Sequence, residues 1–367
     1  MQSVGIALVG SGLALRRHLP ALALVPGAAV RILVGRDAQR TSDLARRHGI
    51  PASTARLEEA LGRQDVELVC VATPTDLHRE TCEAALGAGK HVLCEVPMGL
   101  TAAQSESMVR AARASQRLAV VDHHLRFEPT LRKMRRLIGE GYVGAPLHAH
   151  ATMLHPRWID PHRPHSWWHE SRRGGGILGV CGSHAIDWLR WTFGEVAAVT
   201  GELHTFVRER TPEGELHPKQ ADADEFAAIH LRVGRGVQAT ILLSAVAHRG
   251  PALRLEVFGT EGMLRFDSEG RLWGSRCESG VGAGDPPLEE LSESEDLGRE
   301  ARRAVPDSPS ARAFVHFAKA LVDAVRSGAP TVPEAARFDD GLAVQEILDA
   351  VRASAAAGRR MAPSDPG

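Results

Sequence analysis

Along residues 1–122 the spacing of apolar positions switches repeatedly between two periods. VGIALVG (4–10) is an apolar run, and helix-like spacing then covers 13–24. AVRILVG (29–35) is a second run, followed by the amphipathic DAQRTSDLARRHG, which stops at Gly49. VELVCVAT (66–73) is a third, followed by helical spacing to Gly87. HVLCE (91–95) is a fourth, followed by TAAQSESMVRAARAS with Thr101 as N-cap; LAVVD (118–122) is a fifth. Short continuous apolar runs read as strands buried on both faces. Their alternation with helices makes βαβ units and a parallel sheet. Right-handed crossovers then lay helices on both faces of a doubly wound α/β domain spanning 1–122.

Beyond residue 123 the pattern changes. FEPTLRKMRRLIGEG has helical spacing. Longer strand-like segments follow: APLHAHATML, EVAAVTGELHTFV, EFAAIHLRV, GVQATILLSAV, LRLEVFG and MLRFD. Turns such as VGRGVQ and GTEGM between consecutive segments imply a mostly antiparallel sheet. One helix, SHAIDWLRWTF, interrupts them. The Gly-, Pro-, Ser- and Glu-rich stretch 276–310 reads as a surface loop. Two helices, at about 309–327 and 338–356, close an α+β domain over 123–367 and are expected to pack back on the first domain. APSDPG ends the chain as a frayed tail. The sequence contains no internal repeat.

Composition narrows the class. The 367 residues are 43% hydrophobic with a formal charge of −1, which fits a globular protein with a large core and argues against a nucleic-acid partner. No apolar run is long enough to cross a bilayer, and the first residues lack a basic leader region, so a cytoplasmic protein with no membrane partner is expected. Cys70, Cys82, Cys94, Cys181 and Cys277 are odd in number and scattered, as reduced thiols are. Lysine occurs only at Lys90, Lys133, Lys219 and Lys319, so few are available for catalysis.

The strand exits carry the candidate chemistry. In VGSGLAL (9–15), Gly10 permits a tight turn and Gly12 lets backbone approach a pyrophosphate at a helix N-terminus; Ser11 and Leu13 complete the loop. Leu15 stands where Gly or Ala is usual, which implies looser helix–strand packing. A glycine pair alone often just makes a turn. Its place after the first of five alternating units makes it a nucleotide site. At the second strand exit, Gly35 replaces the acid that usually holds a ribose 2′-hydroxyl, and Arg36 follows. That favours a 2′-phosphate, hence NADP over NAD, although a merely solvated Arg36 is the plain alternative. At the third exit Thr73 and Pro74 shape the loop beside the cofactor, and His78 caps or lines it.

GSG…HLPAL (10–22), ATPTDLH (72–78), AGKHVLCEVP (88–97), LRFEP (125–129) and GGGILGVCGSHAIDWL (174–189) together resemble the glucose–fructose oxidoreductase, inositol dehydrogenase and rhizopine-catabolism (Gfo/Idh/MocA) family. The resemblance runs through nearly the whole chain. It implies a Rossmann domain followed by an α/β domain whose open sheet face serves homo-oligomerisation. It also implies hydride transfer between NAD(P) and a hydroxyl or keto group of a sugar, cyclitol or related small molecule. In the family, residues 95–97 are typically Glu-Lys-Pro, with the glutamate by the nicotinamide end and the lysine on the reacting hydroxyl. Here Glu95 and Pro97 stand and the lysine is Val96. The family's Asp-x-x-x-His becomes Val180 and His184. Two of the three expected catalytic groups are apolar.

His184 remains as proton donor and acceptor, since an imidazole titrates near neutrality, and Asp187 one turn on can orient it or bind substrate. Val96 and Val180 make the pocket more apolar, which suits a less hydroxylated ring. Trp167 and Trp168, in HPRWIDPHRPHSWWHESRRGGG (155–176), offer stacking faces to such a ring, and a packed loop or oligomer contact explains them equally well. Arg126 is a further substrate-binding candidate. His162, His165 and His169 match no metal-ligand pattern, so no metal is expected. Two other readings follow from the valines: a nucleotide-binding sensor with little catalysis, and an enzyme that cycles bound NAD(P) in a net non-redox reaction.

Overall fold

The computed structural model describes residues 3–277, 286–292, 305–306 and 308–363. The chain divides into two units, Met1–Glu128 with Asp296–Ala343, and Pro129–Glu295 with Val344–Gly367.

The first unit holds six parallel strands: β1 (Val4–Val9), β2 (Ala28–Val34), β3 (Ala52–Thr54), β4 (Leu68–Val71), β5 (His91–Cys94) and β6 (Ala119–Val121), in the order β3-β2-β1-β4-β5-β6. The five apolar runs are β1, β2, β4, β5 and β6. The sequence pattern missed β3, which is three half-buried residues on the edge. Alternate residues face opposite sides. Ile6, Leu8, Leu33, Leu68 and Leu93 lie in one apolar cluster with Phe314, Phe317 and Leu321 from helix Pro309–Ser327. Ala7, Val9, Val69, Val71 and Val92 lie in another with Met108 and Val109. Both faces are thus covered, as continuous apolar strands require.

The helices are α1 (Leu19–Leu22), α2 (Ala38–Arg47), α3 (Leu57–Leu61), α4 (His78–Gly87) and α5 (Ala102–Ser115). Asp37 caps α2 by accepting from Arg40 N–H, and Thr101 caps α5 by accepting from Gln104 N–H. The helix expected over 13–24 opens instead as a π turn, Ala14–His18, before α1. Leu15 does not loosen the packing. It is buried among Leu22, Val25 and Leu33, and the wider turn accompanies a side chain where glycine usually lets helix and strand touch.

The second unit begins with α6 (Pro129–Gly139) and carries an eight-stranded sheet. Its strands are β7 (Pro146–Leu154), β8 (Val196–His204), β11 (Phe226–Val233), β12 (Val237–Ser244), β13 (Arg254–Gly259), β14 (Gly262–Phe266), β15 (Leu272–Arg276) and β16 (Glu289–Glu290). A small separate hairpin pairs β9 (Glu209–Arg210) with β10 (Lys219–Gln220). Every pair in the large sheet is antiparallel except β7 with β12. The loop expected over 276–310 needs correction: Arg276 closes β15, Glu289–Glu290 pairs with β15, and Pro309 opens a helix. Residues 278–285, 293–304 and 307 of that stretch lie outside the described residues. One face of the sheet buries Ala149, Ala151, Ile229, Ile241, Val257 and Phe266; α7 (Ser183–Phe193) lies against β11 and β12. The other face presents His148, His150, His230, Thr240, Glu256 and Phe258.

Candidate active site

In the first unit the site is built by register. Val9, Val71, Cys94 and Val121 are successive partners across β1, β4, β5 and β6. The residues that follow therefore leave the sheet at one edge. Ala72 N–H donates to the Val9 carbonyl at 2.9 Å, Glu95 N–H to Val71 at 3.0 Å and Asp122 N–H to Cys94 at 2.8 Å. This is the carboxyl end of a doubly wound sheet, at the point between β1 and β4 where strand order reverses.

Gly10 has φ of +107°, and a Cβ there would lie 2.4 Å from the Ala72 carbonyl oxygen. A Cβ at the exposed Gly12 would meet nothing within 4 Å. Ser11 and Leu13 are half-buried beside it. Thr73 Oγ1 is buried without a hydrogen-bond partner among the described residues. An open backbone cradle and an orphaned buried hydroxyl at this edge fit a bound dinucleotide.

At the end of β2, a Cβ on Gly35 would lie 2.4 Å from Thr41 Oγ1 and 3.2 Å from Thr41 Cγ2. Rotating Thr41 only exchanges one of these atoms for the other. Thr41 is buried, and its hydroxyl donates to the Asp37 carbonyl at 2.5 Å. An acidic side chain at position 35 is therefore sterically disfavoured. Arg36 is exposed and makes no hydrogen bond or ion pair among the described residues.

Glu95 is buried. One carboxylate oxygen lies 2.6 Å from His18 Nε2, and the other accepts from Val96 N–H at 3.3 Å. His18 stacks on Phe314 at 4.7 Å. Beside them Arg17 donates to Asp122 at 2.5 Å, and His124 Nδ1 lies 2.9 Å from the other Asp122 oxygen. Burial works against charge on Asp122, but Arg17 and His124 outweigh it and hold the carboxyl well below the usual carboxylate range. Burial and Arg17 keep the His124 ring below its ordinary value, so it stays neutral. His18, Glu95 and Asp122 could group as metal ligands, but the Arg17 guanidinium already occupies Asp122. Sequence reading missed this network, because its members are up to 107 residues apart.

Three candidates sit differently from expectation. The sequence offered His78 as a residue that caps or lines the loop beside the cofactor. Its ring is buried, with Nδ1 3.0 Å from the Pro97 carbonyl and Nε2 3.0 Å from the Thr73 carbonyl. It ties the Thr73-Pro74 loop to the Glu95–Pro97 loop and has no nitrogen left for a ligand. Burial opposes its charge, but the Cys94 sulfur and the two carbonyls favour it and raise the ring to about 9. Arg126, expected to bind substrate, is buried and paired with Asp340 at 3.1 Å. Val96 is 8% exposed and packs in the apolar cluster with Cys94, Met98 and Val121. The place of the lysine has become core.

In the second unit a π turn, Leu178–Gly182, leads into α7. Val180 is half-buried in that turn. His184 is half-buried in the first turn of α7, and Asp187 is buried one turn later. Asp224 fixes this start. Its side chain accepts from Leu178 N–H at 2.7 Å, and its carbonyl accepts from Ile177 N–H at 2.8 Å. Gly176, with φ of +104°, would place a Cβ 2.4 Å from Asp224 Oδ1. Burial raises the Asp224 carboxyl, against the pull of Leu178 N–H and Arg352. No local pattern marks Asp224, which acts across 46 residues.

Trp167 and Trp168 are half-buried and stacked at 4.0 Å, and Trp168 lies 6.4 Å from the buried Trp158. The backing of this loop is a buried ion pair. Arg210 pairs with Glu225 at 2.9 Å and donates to the carbonyls of Trp158 and Asp160. Burial, then Arg210 and His165, lower the neighbouring His169 ring to about 4.

These two histidines give opposite pH dependences. His169 takes up its proton more readily in the unfolded chain, where its ordinary value is 6.5. Its contribution is full above that pH and is lost as pH falls toward about 4. His78 contributes below 6.5 and its share is lost as pH rises through about 9. Urea melts at about pH 5, 7 and 9 should show stability falling on both sides of neutrality. His169→Gln should flatten the acid limb, and an unchanged limb would refute the assignment.

Residues 4–123 match the oxidoreductase family with an NAD-binding Rossmann fold, and residues 131–265 match the GFO/IDH/MocA C-terminal domain. Levoglucosan dehydrogenase of Pseudarthrobacter phenanthrenivorans is 30% identical over 293 residues, covering 74% of this chain and 75% of that protein. Human glucose-fructose oxidoreductase domain-containing protein 2 is 29% identical over 376 residues, covering 96% and 92%. A solved levoglucosan dehydrogenase, in complex with NADH and L-sorbose, superposes with a TM-score of 0.87 at 26% identity over 100% of both chains.

Proposed function

Because this chain belongs to the Gfo/Idh/MocA family of NAD-binding oxidoreductases, we propose that it moves hydride between a nicotinamide cofactor, NADP ahead of NAD, and a sugar-like or other cyclic alcohol or ketone. The observation that supports this most is the single sheet edge that gathers the Gly10–Gly12 cradle, the orphaned Thr73 hydroxyl and Glu95. A nicotinamide held at this edge would supply or accept the hydride. Gly10, Ser11, Gly12 and Leu13 hold the pyrophosphate by backbone, and His18 and Val96 N–H fix the Glu95 carboxylate. On oxidation of an alcohol His184 takes the hydroxyl proton, and on reduction it returns it. Asp224 sets the turn from which His184 projects.

Without the usual lysine the developing alkoxide lacks one donor, a loss on the order of 3 kcal/mol. Positioning supplies a large share of such a barrier, so chemistry persists. Val180 favours a ring with fewer hydroxyls, and Trp167 and Trp168 offer it an aromatic wall. Levoglucosan, an anhydro sugar named for one relative, has that character. The valines also keep a sensor reading in play, which a substrate screen at 340 nm decides. Self-association through the solvent face of the large sheet is part of the proposal, and sedimentation as a clean monomer would remove it.

The cofactor preference rests on Gly35, Thr41 and Arg36. Fluorescence titration of nucleotide-stripped protein should give tighter binding of NADPH than NADH. Arg36→Ala should weaken NADPH by about tenfold or more and leave NADH unchanged, because only the former presents a 2′-phosphate to a charged donor. Equal losses for both would refute the role of Arg36, and binding of neither by the native chain would refute the cofactor site.

A further inference from the structure

On the solvent face of the eight-stranded sheet, β7 carries His148 and His150 two residues apart, so the strand period places both on one side. His148 Nδ1 and His150 Nε2 lie 3.1 Å apart. The two rings meet edge to face at 5.1 Å. Phe258 backs both: His148 stacks on it at 4.7 Å, and His150 meets its edge at 5.8 Å. The apolar wall holds the two ring nitrogens within hydrogen-bond distance of each other.

Register fixes the surroundings. On β13, Phe258 stands opposite His148 and Glu256 opposite His150. On β12, Gln238 stands opposite His148 and Thr240 opposite His150. Further along the same row are Arg265, paired with Glu256, and His230, paired with Thr240. Nothing in the hydride-transfer chemistry uses this group.

Two imidazole nitrogens this close share either a proton or a metal ion. Bonds from zinc to imidazole nitrogen are about 2.0–2.1 Å, and with two of them a 3.1 Å separation closes a bite angle of about 98°. That lies between the square-planar and tetrahedral angles, so the separation suits chelation once the two rings turn from each other toward a shared ion. We infer that His148 and His150 form a bidentate site for a divalent transition-metal ion of the zinc, nickel or copper class, with water completing the shell. Hard cations such as magnesium and calcium prefer oxygen ligands and have little to gain here. The signal was present in the sequence as His-x-His inside a strand.

The test is isothermal titration of the full chain, free of any affinity tag, with nickel chloride and separately with magnesium chloride. Native protein should bind nickel saturably and magnesium not at all. His148→Ala and His150→Gln should each weaken nickel binding by more than about tenfold, and Glu256→Gln by less. Both histidines lie on the sheet face proposed above for self-association, so sedimentation accompanies the titration, and circular dichroism confirms that the variants fold. Native protein without saturable nickel binding, or His150→Gln binding as the native chain does, would overturn the site.

Discussion

Replacing His184 with alanine is expected to lower kcat by about two to four orders of magnitude and leave nucleotide affinity unchanged. The size follows from what the chain lacks. The family resemblance implies a lysine after the glutamate as a second group that stabilises or moves charge at the reacting hydroxyl. Here that lysine is a core valine, and the aspartate four residues before the histidine is Val180. On the proposed mechanism the proton therefore depends on one imidazole. Nucleotide affinity should not follow, since the cradle at Gly10–Gly12 and Thr73 belongs to a different unit of the chain. His184→Gln separates bonding from proton transfer: glutamine can donate a hydrogen bond but cannot take a proton at neutral pH. It should therefore lose kcat nearly as far as alanine does, and the limb of the pH–rate profile that reports the imidazole should vanish. Turnover that survives both substitutions would exclude His184 as the acid–base and turn attention to Asp187.

The uneven legibility of this site has a physical basis. Gly10, Gly12, Thr73 and Glu95 could be read because each directly follows an apolar run, and in a parallel sheet the strand exits fall on one edge whatever the loops do. The five core strands were legible for the same reason: burial on both faces makes them uniformly apolar. Strands β3, β15 and β16 carried no such signal, being short or only partly buried, and the segment between α2 and β4 reads as polar. Long-range partners were hidden altogether. Whether Arg126 meets a substrate or Asp340 depends on a contact 214 residues away. His78 lies near the expected loop, but only the fold shows that both its nitrogens are spent on carbonyls. Val96 reads as a missing lysine in sequence and as a packed core side chain in structure, and the second view explains why the position tolerates it.

The second large effect is one of stability. Glu225→Ala should destabilise the protein by about 3–5 kcal/mol, measured by urea unfolding, because it strands a fully buried guanidinium. Glu225 does more than balance charge. Its second oxygen accepts from Phe206 N–H and Val207 N–H, each at 2.8 Å. Arg210 in turn holds the carbonyls of Trp158 and Asp160. One ion pair thus ties the 205–210 segment to the loop that carries Trp167 and Trp168. Two consequences separate this role from ordinary packing. First, Arg210→Met combined with Glu225→Leu should recover much of the loss, since an apolar pair of similar volume leaves no stranded charge. Second, the double variant keeps the core but not the donors to Trp158 and Asp160, so KM for a ring substrate should rise while NADPH affinity holds. Recovery of stability without any change in KM would confine the pair to folding and leave the tryptophan wall positioned by its own stacking.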